Sequence, residues 1–151
     1  MTSTDLTGVL TDPDLPTSGR RLRGLVGAGL LATLAAMAST TLVAAMARAV
    51  GVDFEVPDGG GETIPLSGIA FVTGVLSVAG VVIATGLLRW SARPAALFVR
   101  TALTLTALSL VPPLIAGAST ATAATLVALH LVAAAVMIPT LARSLRACAE
   151  R

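Results

Sequence analysis

Charged positions are gathered into clusters along this chain, and long uncharged apolar blocks separate them. Between Arg23 and Arg48 lie 24 residues without a charge, Gly24 to Ala47. Between Glu62 and Arg89 lie 26, Thr63 to Leu88, and between Arg100 and Arg143 lie 42, Thr101 to Ala142. A helix of about 20 apolar residues crosses a bilayer core. The first two blocks therefore predict one span each. The third, as a single helix, would measure about 63 Å at the usual rise per residue, too long for one crossing, so it predicts two. The break is expected at Gly117-Ala118-Ser119-Thr120, where Ser119 or Thr120 can cap the next helix. The predicted spans are 24–47, 64–88, 95–117 and 121–145. The third takes in Arg100, whose long side chain can snorkel to the headgroups.

Composition strengthens this reading. The chain has 151 residues, 55% hydrophobic and 12% charged, with a mean hydropathy of +0.90. A soluble domain carries about 25% charged residues. Eighteen ionisable side chains (ten basic, eight acidic) are too few to cover a water-facing surface of this size. An ordinary soluble domain and a disordered chain are thereby excluded. A single cysteine, Cys148, excludes a disulfide scaffold and a CxxC redox motif. The expected fold is all-α, an integral membrane four-helix bundle occupying residues 20–146. The polar residues 1–19 are expected to be a disordered cytoplasmic tail, and 147–151 a short second one.

Arginine placement orients the chain. Arg20, Arg21 and Arg23 precede the first span, Arg89, Arg93 and Arg100 lie between the second and third, and Arg143, Arg146 and Arg151 follow the fourth. Only Arg48 falls on the opposite side. By the positive-inside rule both termini are expected in the cytoplasm. The rival is a secretory signal peptide ending at Ala45-Met46-Ala47. An h-region of about 7–15 residues is much shorter than the 24-residue block, and Asp5, Asp12 and Asp14 are unusual in an n-region. A retained span is expected.

Within lipid, close backbone approach and polar contacts drive helix association. Gly24, Ala28, Ala32, Ala36, Thr40 and Ala44 form a small-residue stripe on the first span. Thr73, Ser77, Gly80 and Ala84 do so on the second, Ala102, Thr106 and Ser109 on the third, and Ala121, Ala124, Thr125 and Ala128 on the fourth. Pro112-Pro113 should kink the third span near its outer end, and Pro139 the fourth near its inner end. The outer loop alternates apolar and acidic residues, Val52-Asp53-Phe54-Glu55-Val56, before Pro57-Asp58-Gly59-Gly60-Gly61 and Glu62. That pattern suits a short β-hairpin, which would need to lie on the helix ends. Asp53, Glu55, Asp58 and Glu62 could bind a cation, although their spacing is not that of an EF-hand; a solvated acidic loop is the expectation, with no metal.

Chemistry inside the membrane is sparse. No Asp or Glu falls within a span, which excludes the carboxylate relays of proton-coupled carriers. No phosphate-binding glycine loop, Ser/His/Asp set or HExxH motif occurs. His130, the only histidine, lies near mid-membrane. It is a candidate haem ligand, quinone contact or proton shuttle. The plainer alternative is a neutral imidazole bonded to a Thr or Ser hydroxyl on a neighbouring helix.

The segments LRWSARPAALFV, TALSLVPPLIAGASTAT, LHLVAAAVMIPTLAR and FEVPDGGGETIPLSG resemble an actinobacterial family of four-span membrane proteins, the domain of unknown function six-zero-six-nine. The resemblance runs from Leu22 to Arg146 and rests on Arg89, Trp90, Arg93, Pro94, Pro112, Pro113, His130 and Pro139. It implies the four-span topology and a bacterial plasma membrane, and no activity or cofactor. The expected function is that of a non-enzymatic structural or partner-binding membrane component, in contact with the lipid bilayer, with a membrane or envelope protein or a second copy as partner and no nucleic acid. The alternatives are a small-solute or lipid transporter using the Pro-kinked third and fourth spans with His130, and a haem- or quinone-binding redox protein.

Overall fold

The computed structural model describes residues 15–55, 62–115 and 117–150. Five helices follow in order: α1 (Leu15–Ala49), α2 (Leu66–Trp90), α3 (Pro94–Ser109), α4 (Val111–Ile115) and α5 (Thr120–Ala149). With α3 and α4 taken together, four segments are long and apolar enough to cross a membrane: Gly19–Ala49, Leu66–Trp90, Pro94–Ile115 and Thr120–Ala149. The charge gaps thus count the spans correctly. The helices overrun the gaps because an arginine does not end a helix. α1 starts at Leu15, inside the segment expected to be a tail, and α5 runs on to Ala149. Residues 1–14 lie outside the described residues.

The bundle runs up and down in antiparallel fashion. α1 packs along α2 and α5, α3 packs against α2 and α5 on the opposite side, and α1 and α3 do not touch. Ala32, Ala36, Thr40 and Ala44 of the α1 stripe are buried. Gly24 is exposed and Ala28 only half-buried, and Leu25 and Gly29 take their place in the seam. The reason is helical drift. A repeat of four overshoots a turn of 3.6 residues, so the stripe rotates away from the seam toward the N-terminus. At Gly29 the approach is closest: a Cβ built there would stand 2.6 Å from Val81 Cγ2.

The expected packing face of α5 needs correction. Ala121 and Ala124 are exposed, while Thr122, Leu129, Met137, Leu141 and Leu145 are buried. Against the small face of α1, its partner must supply bulk to fill the space. At the end of the bundle that holds the start of α1 and the finish of α5, Leu25, Leu141 and Leu145 are fully buried, and the two helices run on together until Cys148 Sγ lies 3.7 Å from the Arg21 carbonyl oxygen. Large apolar side chains elsewhere face outward, Leu31, Phe71, Val82 and Ile115 among them. Such a surface needs lipid around it.

The third span is broken at Leu110, between α3 and α4. Pro112 and Pro113 lack the N–H groups that Leu108 and Ser109 would otherwise receive, so the expected disruption sits just ahead of them. α5, by contrast, continues through Pro139, which is exposed on its outer surface. Gly117 has φ +72°, a left-handed conformation natural to glycine. Ser119 then caps α5, its Oγ accepting from the Thr122 N–H at 3.2 Å.

The loop between α1 and α2 does not form a hairpin of strands among the described residues. One antiparallel bridge joins Glu55 to Thr63, and Ile64 N–H donates to the Phe54 carbonyl at 2.8 Å. Residues 56–61, the expected turn, lie outside the described residues. What holds the loop is Phe54, which is fully buried with Ala44, Ile69 and Leu129 at the loop end of α1, α2 and α5.

Candidate functional site

Because α3 leans on α2 and α5 from one side only, the three helices do not close against one another. A cleft of about 720 Å³ remains between them. It runs from Gly68 to Ile83 on α2, from Phe98 to Ser109 on α3 and from Leu126 to Leu141 on α5. Fifteen residues of helix is about 22 Å, so the cleft follows most of the membrane's thickness. Its walls are overwhelmingly apolar. The exceptions are the hydroxyls of Thr73, Ser77, Thr101, Thr106 and Ser109, and the imidazole of His130.

His130 lies ten residues beyond the start of α5, about 15 Å from its outer end. It is half-buried and lines the cleft. Its Nδ1 lies 2.8 Å from the Leu126 carbonyl oxygen, one turn back on the same helix. The bond therefore goes to its own backbone and not to a hydroxyl on a neighbouring helix. A carbonyl oxygen can only accept, so Nδ1 carries the proton. In the neutral ring Nε2 is then a lone-pair acceptor. Within about one turn of this level the lining includes the small residues Ser77 and Gly80 on α2, Ala102 on α3 and Ala133 and Ala134 on α5, together with Leu76 and Leu105.

The chain matches a family model over residues 20–147, that of a family of unknown function, DUF6069. The chain belongs to this family. No curated protein and no solved structure matches it. The match covers all four spans of this DUF6069 protein, and with them the cleft, His130 and the outer loop.

Thr73, Ser77, Gly80, Ala102, Thr106 and Ser109, expected as packing faces, line the cleft of this DUF6069 chain, whereas the acidic loop residues, Arg48 and Pro112-Pro113 lie apart from it. Asp53, Glu55 and Glu62 are exposed, Asp58 lies outside the described residues, and no group of three or more potential metal ligands forms among the described residues. Arg48 donates to the Ile64 carbonyl and stands over the Phe54 ring, 5.7 Å from its centre. Pro113 is buried and Pro112 exposed, both at the outer end of α3–α4. The cleft itself was not visible as a motif, because its wall is made of alanine, glycine and leucine. One signal was available: in an antiparallel four-span register Gly80 falls level with Ala134, about one helical turn along α5 from His130.

Proposed function

We propose that this DUF6069 protein is a non-enzymatic membrane component whose partner is a lipid-like molecule held in the cleft between α2, α3 and α5. It resides in a bacterial plasma membrane with both termini cytoplasmic, a placement supported by the nine-to-one arginine distribution. The observation that carries the reading is the cleft: about 720 Å³, apolar along its length, lying at the depth of acyl chains. Ligand sites of this size are concave and apolar, with a few placed polar groups. Assembly through the α1 stripe is less well supported, because Ala32, Ala36, Thr40 and Ala44 are used up within the bundle.

The test is native mass spectrometry of protein extracted in host lipid. A lipid-like molecule should be retained in defined stoichiometry. Ala134→Trp, which fills the cleft, should lose it while helicity and thermal stability are kept. Retention of no molecule, or equal retention by A134W, would overturn the proposal.

A further inference from the structure

An apolar cleft in a bilayer accepts any chain, so chain length and volume confer little selectivity. His130 adds a polar contact. Its Nδ1–H is committed to the Leu126 carbonyl, which leaves Nε2 of the neutral ring as an acceptor at the mid-membrane level of the cleft. An acceptor in hydrocarbon is costly when left unpaired. It is satisfied by a ligand that brings a hydrogen-bond donor to this depth. Phospholipids and polyprenyl phosphates do not fit, because their charged headgroups stay at the interface. A neutral hydroxyl can reach it. The small residues Ser77, Gly80, Ala102, Ala133 and Ala134 leave room there for something broader than an acyl chain.

We propose that the cleft binds a quinol-type lipid, a hydroxylated ring on an apolar tail, with the ring hydroxyl donating to His130 Nε2. This rests on the reading of the cleft as a lipid site and names its ligand class. The reduced form is preferred over the oxidised one, since a quinone has carbonyls and no hydroxyl to donate. No electron transfer is involved in the preference; it is a difference in hydrogen bonding alone.

The single histidine makes the test direct. Protein labelled with ¹⁵N-histidine in nanodiscs shows one Nε2 resonance. A decyl-chain benzoquinol should shift it in the sense of an accepted hydrogen bond, and the matching quinone should leave it largely in place. Direct binding of the quinol should be about fivefold weaker in His130→Ala, the loss of one net hydrogen bond, while quinone binding changes little. His130→Gln, which retains an acceptor, should recover part of the loss. An unmoved Nε2 resonance at saturating quinol, an equal shift with quinone, or undiminished quinol binding by H130A would each overturn the proposal. A tail-only competitor separates the two levels of the argument. Displacement of host lipid by decylbenzene, without quinol selectivity, leaves the lipid cleft standing and removes the quinol. Failure of both probes to displace anything removes both.

Discussion

The Thr122 hydroxyl donates to the Asp53 carbonyl at 2.7 Å, joining residues 69 positions apart. One partner lies in the loop after the first span, the other in the first turn of the last span. Thr122 also accepts from the Ser119 hydroxyl at 3.0 Å, so the cap of α5 and the loop share one hydroxyl. The described part of the loop is therefore a lid fastened to this end of the bundle.

Thr122→Val keeps the shape and removes the donor. It leaves the part-buried Asp53 carbonyl without this partner, a cost of about 1 kcal/mol. Thermal unfolding in detergent should show the loss, and limited proteolysis should cut faster between Gly51 and Pro65. Unchanged proteolysis would mean that the loop is held by other contacts.

Phe54 anchors that lid. Phe54→Ala empties a fully enclosed site and should cost about 3 kcal/mol or more. Phe54→Leu should cost clearly less. Arg48→Met should cost about 1 kcal/mol through its lost contacts with the Phe54 ring and the Ile64 carbonyl. Combined with Phe54→Ala, its effect should be less than additive.

Gly29 and Gly74 look alike in sequence and should behave oppositely. At Gly29 a new Cβ meets Val81, a stiff and buried side chain, and Gly29→Val should destabilise by about 2 kcal/mol. Val81→Ala in the same chain should restore part of it. At Gly74 the nearest atom is Met37 Sδ at 3.0 Å, in a flexible side chain that can move. Gly74→Ala should be neutral or stabilising by up to about 0.5 kcal/mol. Melting curves of the three variants check the contrast.

Orientation can be read by labelling. In a Cys148→Ser background, Glu150→Cys should react with an impermeant maleimide only in inverted vesicles, and Glu55→Cys only in intact cells; both positions are exposed. The reverse pattern would invert the arginine argument.

Those charges made the topology legible before any coordinates. The gaps between Arg23, Arg48, Glu62, Arg89, Arg100 and Arg143 count the spans, and the cap after Gly117 was narrowed to Ser119 or Thr120, of which the structure uses Ser119. The face of α5 was not legible from composition. Its small residues Ala121 and Ala124 suggested packing, but the alanine seam of α1 calls for bulk on the facing helix, a relation that exists only once the two are paired. His130 was found as an isolated polar residue, and its partner was not. An i−4 backbone bond competes with any neighbouring hydroxyl, and the rotamer that decides between them depends on the space beside α3. Phe54 was one apolar residue in an acidic loop, and its role appears only with the helix ends that enclose it.

The fastening of Asp53 to Thr122 also orders events during biosynthesis. The loop leaves the ribosome with α1 and α2, while the residue that ties it down arrives two crossings later. Until α5 is threaded through the membrane, Phe54 lacks the Leu129 side of its pocket and the Asp53 carbonyl lacks this donor. A chain halted before its last crossing would leave this segment unfastened, and arrival of the last helix closes it down.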